Sequence, residues 1–64
     1  MTPKEILMED LRAELASVRE QMDILTVKFK DAKISVTEYS SVSTLLTSRR
    51  MSAQAKLERL LDES

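Results

Sequence analysis

Three side chains near the middle of the chain have oxygen atoms at a spacing that could contribute to calcium binding. Asp31, Ser35 and Glu38 lie in the stretch DAKISVTEY, which reads like the second half of an EF-hand loop. In such a loop several oxygen ligands surround the ion, and a final glutamate binds it through both carboxylate oxygens. The stretch could therefore be half of a metal site, or only the connection between two helices.

The residues around Asp31 argue against the calcium site. If Glu38 is the last ligand, the loop begins at Val27 and its third position is Phe29, so apolar side chains replace two oxygen ligands. Ala32 would occupy the place of the turn glycine, and alanine disfavours the positive φ required there. We therefore predict no metal site in this chain.

The rest of the sequence offers no catalytic group in a suitable setting. It contains no His, Cys or Gly, which removes imidazole bases, thiol nucleophiles, disulfides and glycine-rich phosphate loops. The acid pairs Glu9–Asp10 and Asp62–Glu63 belong to polar helix faces or to the terminus, where carboxylates are normally solvated. We predict that the protein is not an enzyme and has no catalytic residue, cofactor or small-molecule substrate.

Ser35 and Glu38 also fit a structural role, the start of a helix. They form the S-x-x-E pattern of a capping box, and Ile34 and Tyr39 stand at the positions of a hydrophobic staple. A capping box in mid-chain predicts that a new helix begins near Ser35. The turn before it would cover about residues 31–35, a usual length for a connection between helices in bundles.

The N-terminus carries the same set of signals. Thr2 and Glu5 form a capping box, Pro3 suits the first helical position, and Met1 and Ile6 stand at staple positions. We predict one domain over residues 1–64, with helices over about 3–31 and 36–62. Two helices of nearly equal length around a short turn favour an all-α fold, an antiparallel two-helix hairpin.

Apolar residues recur along both helices with the seven-residue period of helices that pack side by side. In the first helix, two such rows interleave at alternating spacings of three and four residues. The predicted seam consists of Met8, Leu11, Leu15, Val18, Met22, Leu25, Phe29, Tyr39, Val42, Leu46, Ala53, Leu57 and Leu60.

Two other folds fit parts of this pattern. The heptad register of the first helix continues to Leu60 and is spoiled only by Ser43 and Arg50, which would allow one unbroken helix in a parallel coiled coil. The stretch KISVTEYSSVSTLLT is rich in β-branched residues and could form a strand, although its alternation breaks twice. The second capping box and the Ser/Thr-rich run after it favour the hairpin.

A two-helix hairpin cannot bury all the apolar residues of this sequence. Exposed apolar patches usually mark interfaces, so the apolar residues outside the seam, with two arginines beside it, form a predicted partner face. Its members are Ile6, Leu7, Ile24, Val27, Leu45, Arg49, Arg50, Met51 and Leu61. Dimerisation or a partner protein would complete a four-helix bundle.

The charge pattern helps to distinguish a protein partner from a nucleic-acid partner. A third of the residues are charged, yet the net charge is −1, whereas nucleic-acid-binding proteins usually carry a basic excess on one face. Lys28, Lys30 and Lys33 near the turn, with Arg49 and Arg50, would be the contacts of a nucleic-acid-binding hairpin dimer. We keep that function as an alternative, and expect protein to be the partner.

Nothing in the sequence has the pattern of a membrane or export segment. The longest stretch without a charge covers residues 39–48 and is too short to span a bilayer. The start, MTPKE, has no apolar signal core. We expect no membrane insertion and a cytoplasmic location.

Two families share parts of this layout. With its start MTPKEILMEDL and a second helix that reads TEYSSVSTLL, the chain resembles the small two-helix co-chaperones of type III secretion needle subunits. Over about fifteen residues, DAKISVTEY…LL is similar to short C-terminal oligomerisation helices that read D-A-G-I-x-T-x-E-E-Y/F…LL, with Lys33 in place of the glycine. Both resemblances imply a binding module, and the second implies self-association.

These observations predict a small chaperone, adaptor or inhibitor that binds a protein partner through an apolar helix face. Alone, it is expected to self-associate as a homodimer, and with its partner it is expected to form a hetero-complex. The alternatives are a continuous parallel coiled coil with an oligomerising or structural role, and the nucleic-acid-binding dimer.

Overall fold

Two α-helices joined by a short connection make up the computed structural model, which describes residues 1–63. Helix α1 spans Pro3–Lys30 and helix α2 spans Val36–Asp62. They pack side by side as an all-helical hairpin with extents of 45 × 17 × 11 Å. The described residues contain no strand, and the β-branched stretch that could have formed one is helical from Val36 onward.

Both helices begin at the predicted capping residues. Thr2 has an extended backbone, and its hydroxyl accepts a hydrogen bond from the backbone N–H of Glu5 at 3.2 Å. Ser35 does the same for the backbone N–H of Glu38 at 3.1 Å. Each side chain satisfies a backbone donor that has no partner within its helix, so both helix starts are set by local sequence.

Helix α1 ends in a Schellman motif with alanine in the position that glycine usually occupies. Ala32 has a φ of 58°. The N–H of Ala32 donates to the carbonyl of Phe29 at 3.0 Å, and the N–H of Lys33 donates to the carbonyl of Lys28 at 2.9 Å. The expectation that alanine would avoid a positive φ therefore does not hold at this position, where these two hydrogen bonds stabilise the left-handed conformation.

The hydrophobic core is a single row of side chains between the helices. Its buried members are Leu11, Val18 and Leu25 of α1 and Leu46 and Ala53 of α2, with Val18 only 1% exposed. All five positions are separated by multiples of seven residues. The hairpin thus has a narrow core, and much of its apolar surface lies outside it.

The densest part of the core lies toward the turn. Val18, Leu25 and Leu46 form one cluster, against which Met22, Ile34 and Tyr39 pack. The rings of Phe29 and Tyr39 lie beside it, with centroids 4.5 Å apart. These contacts fix α2 against the C-terminal half of α1.

Candidate interaction surface

Residues of the predicted seam lie at three levels of burial. Besides the five buried residues, six are half-buried, namely Met8, Leu15, Met22, Tyr39, Leu57 and Leu60. Phe29 and Val42 are 37% and 40% exposed and lie at the margins of the seam. Phe29 still contacts α2 through the Tyr39 ring, whereas Val42 lines an open groove.

Three pairs of residues, one from each helix, define one side of the hairpin, which we call the front face. Gln21 and Val42 line the same groove. The Nε of Arg49 lies 3.9 Å from the Oε1 of Glu14. Leu7 and Lys56 line a second groove nearer the chain ends. The α1 members follow each other at seven-residue intervals, and so do the α2 members, so each set forms a straight line along its helix.

The front face carries an apolar patch near the turn. Ile24 and Val42 line a groove of about 200 Å³ whose floor is Leu25 and Leu46. Leu45 follows Val42 by three residues, so it lies on the same side of α2. Ile24 is 49% exposed and Leu45 is 60% exposed. We call Ile24, Val42 and Leu45 the turn-end patch.

The side chains of α2 beside the turn-end patch are small or aliphatic, and none of them is charged. Between residues 39 and 48, α2 has no charged side chain and consists mainly of Ser, Thr and aliphatic residues. Short side chains allow the backbone of another helix to approach closely, and interface cores are typically poor in charge. The same segment is helical throughout, so it presents a rigid surface.

The grooves of the front face are apolar with basic borders. Lys28 borders the groove at the turn-end patch. The second groove, of about 170 Å³, is formed by Leu7, Leu11 and Leu60 and bordered by Lys56 and Arg59. Among the described residues, no acidic side chain lines either groove. This combination favours a ligand that is apolar along one stripe and acidic beside it.

The opposite side of the hairpin, which we call the back face, has a different character. Its groove is lined by Leu15, Val18 and Met22 together with four polar or charged residues, Arg19, Asp23, Arg50 and Gln54. Arg50 is exposed, but it lies seven residues before Leu57 in one of the two heptad rows that face α1, which we call the inner rows, and there the pattern would have an apolar residue. The back face therefore leaves Leu15 and Met22 partly uncovered.

The nine residues of the predicted partner face do not form one surface. Leu7, Ile24, Leu45 and Arg49 belong to the front face, whereas Arg50 lies on the back face and Leu61, eleven residues later, lies on the same side. Val27, Met51 and Ile6 lie on outward sides of the helices. All seven apolar members are large side chains exposed to solvent.

The basic residues proposed as nucleic-acid contacts fall into two separate groups. Lys28, Lys30 and Lys33 lie at the turn. Arg49 pairs with Glu14 in the middle of the hairpin, about 20 Å along α2 from its first residue. Arg50 faces the other side. The two groups do not make one continuous basic patch.

Two further properties concern residues 1–63 as a whole. In this part of the chain, no three acidic side chains come together in an arrangement that could hold a metal ion. Neither of the two helices is long and apolar enough to cross a membrane.

Comparison with known proteins found no match among family models, curated proteins or solved structures. Its function is therefore inferred from the geometry of this chain. Sequence reasoning missed the front-face lines, although their signal is visible as a seven-residue repeat at Leu7, Glu14, Gln21 and Lys28 that runs beside the buried row.

Proposed function

We propose that this chain is a non-enzymatic protein-interaction module that binds an amphipathic helix on its front face. The observation that carries the proposal is the turn-end patch, where three aliphatic side chains remain exposed around a groove with an apolar floor. A small adaptor, chaperone or inhibitor would work in this way, and the resemblance to type III secretion co-chaperones supports such a role. We expect it to act in the cytoplasm.

A helix fits this surface better than an extended segment. The groove between two packed helices accepts side chains spaced by three and four residues, which an amphipathic helix supplies along one face. A third and a fourth helix would complete the bundle that two helices cannot form alone. Because Lys28, Lys56 and Arg59 border the grooves, acidic residues beside the apolar stripe would make the partner helix complementary.

When no partner is present, a second copy of the chain can cover the front face. Helix α1 carries six acidic and two basic side chains between Glu5 and Asp23, so it offers the acidic flanks that the grooves favour. A chain of this size buries only about 60% of its unfolded surface by itself. Self-association adds apolar burial that the narrow core lacks.

The direct test is a charge placed in the turn-end patch. Leu45→Asp should weaken self-association by roughly tenfold or more, because a carboxylate would lose its hydration at the interface. Thr44→Asp is the matched control, since Thr44 is an exposed neighbour that points away from the front face. Sedimentation equilibrium gives the association constants, and circular dichroism checks that both variants remain helical. Equal association of Leu45→Asp and Thr44→Asp, both in an Ala32→Gly background that favours the turn, would exclude the front face as the site of self-association.

A further inference from the structure

We propose that two copies of this chain can exchange their second helices. In the exchanged form, residues 31–35 become helical, so that each chain is one long helix. The two long helices pair antiparallel, and α2 of each copy packs against α1 of the other. This goes beyond the proposed function, because it concerns the seam between the helices and the connection, not the front face.

The first observation is that the buried row keeps its phase across the connection. Leu25, Ala32, Tyr39 and Leu46 follow each other at intervals of seven residues, and Leu25 and Leu46 are buried. In a hairpin, the connection reverses the chain, so the phase of the second helix need not continue that of the first. An unbroken heptad phase is what a continuous helix in a two-helix assembly requires.

The second observation is the conformation of Ala32. Its φ of 58° lies in the left-handed region, which a side chain with a Cβ atom disfavours relative to glycine. In a continuous helix, Ala32 would return to the right-handed helical region, where alanine has the highest propensity of all residues. The hairpin therefore stores strain at Ala32, which is one of the connection residues that must become helical for the chain to open, as Ser35 with its extended backbone must also do.

The third observation is the composition of the connection. Residues 31–35 read DAKIS and contain neither Gly nor Pro, so each of them can be accommodated in a helix. The hairpin is held at this point by two hydrogen bonds at the end of α1 and one Ser35 cap. Straightening replaces these hydrogen bonds with those of the helix interior.

Exchange preserves the core contacts between α1 and α2. Only Ile34, which packs against the core in the hairpin, would turn away from the seam, because it lies two residues after Ala32 in a straight helix. The Glu14–Arg49 ion pair marks a register in which Val18 lies level with Leu46 and Leu11 with Ala53. Two straight chains that cross at Ala32 reproduce this register between copies, with the small side chains of Ala32 facing each other at the centre. The exchanged dimer thus regains each seam contact from the second copy, as expected when an element is swapped between identical chains.

Arg50 favours this antiparallel arrangement over a parallel one. In an in-register parallel coiled coil, Arg50 would face Arg50 of the second chain in the inner row, where two like charges repel. In the antiparallel form, it lies beside Leu15 and Met22 of the second copy, as it does within the hairpin. The exchanged form therefore avoids the repulsion between two Arg50 side chains that a parallel coiled coil would contain.

The test is a distance within one chain of the dimer. The protein has no cysteine, so Ala16→Cys with Ser48→Cys places two spin labels at exposed outward positions. Doubly labelled chains are diluted into excess unlabelled protein, and the dimer fraction is isolated, so that pulsed electron resonance reports distances within a chain. The hairpin holds these residues level with each other, whereas the open chain separates them by about 50 Å.

In the dimer fraction we expect the two labels to be separated by about 50 Å. The same distance should persist when Leu45→Asp removes association through the front face. Ala32→Gly should reduce the exchanged population by roughly tenfold or more, because glycine favours the turn and disfavours the helix. Ser35→Ala should increase it, because the α2 cap is lost.

Three results would overturn the exchange. They are a dimer with only the short distance, an exchanged population that Ala32→Gly does not change, and the absence of any dimer fraction. A dimer that has only the short distance and is lost in Leu45→Asp would leave the proposed function standing, since stacked hairpins would then form it.

Discussion

Ala32 shows how one residue can limit the stability of this fold. The Schellman end of α1 satisfies two backbone carbonyls, but it requires a left-handed residue, and the chain uses alanine there. Sequence reasoning located the connection through Ser35 and Glu38, whose capping pattern is a local signal. It could not locate the left-handed position, because without a glycine the sequence has no signal for it.

Replacing Ala32 with glycine should stabilise the hairpin. We expect Ala32→Gly to raise the free energy of unfolding by about 1 kcal/mol, since the left-handed conformation disfavours a Cβ atom by roughly 1–2 kcal/mol and glycine loses part of that gain in chain entropy. Urea unfolding followed by circular dichroism measures the change. The control is Lys33→Gly, which changes a neighbour without a positive φ and should give no gain. A loss of stability in Ala32→Gly would contradict the assignment of strain.

Adjacent positions of α1 have opposite roles. Leu25 belongs to the core cluster, whereas Ile24 is half exposed on the front face. The heptad pattern predicted this division of α1, because successive residues of an α-helix are rotated by about 100° about its axis. The pattern could not show how α2 rotates against α1, and that rotation decides which outer residues share a surface.

Substitutions at Leu25 and Ile24 should separate the effect of a charge on folding from its effect on association. Leu25→Asp should abolish most of the helical signal, because an unpaired carboxylate in the core costs several kcal/mol in a fold with five buried residues. Ile24→Asp should leave the far-ultraviolet spectrum close to that of the wild type and lower the associated fraction. Circular dichroism and size-exclusion chromatography separate these outcomes. If both variants lost helicity equally, the distinction between seam and front face would fail.

A substitution on the back face, Arg50→Leu, should stabilise the hairpin. Arg50 occupies an inner-row position beside Leu15 and Met22, so Arg50→Leu would cover apolar surface that is now open to water. We expect the free energy of unfolding to rise by about 1 kcal/mol, seen as a higher melting temperature. Because a new exposed leucine can also promote association, the melt is repeated at several concentrations. A lower melting temperature at every concentration would contradict the placement of Arg50 in the inner row.

The electrostatic contribution of the ion pair between the helices is small. Glu14 and Arg49 are both partly exposed at 3.9 Å, and such pairs contribute about 0–1 kcal/mol. The pair is informative as a marker of register, because it shows which residues of α1 and α2 lie level with each other. The stability of the hairpin must then come from the buried row and from whatever covers the exposed apolar side chains.

The molecule as a whole has more apolar surface than its own core can bury. Eleven large apolar side chains are exposed in the described residues, and only five residues are buried. The sequence predicted the two helices, their caps and the row between them, because each follows from local pattern. It did not predict that the outer residues divide between a front face with basic borders and a back face that contains Arg50, because that division depends on packing between helices.

Binding through the front face is tested by the mass of the protein in solution when exchange of helices is suppressed. Ala32→Gly, alone and combined with Leu45→Asp or Thr44→Asp, is measured by sedimentation equilibrium at micromolar concentration. We predict that Ala32→Gly and its Thr44→Asp combination associate, whereas the combination with Leu45→Asp is a helical monomer of 7.3 kDa. A well-folded monomer of Ala32→Gly, or an unchanged mass on adding Leu45→Asp, would contradict binding through the front face.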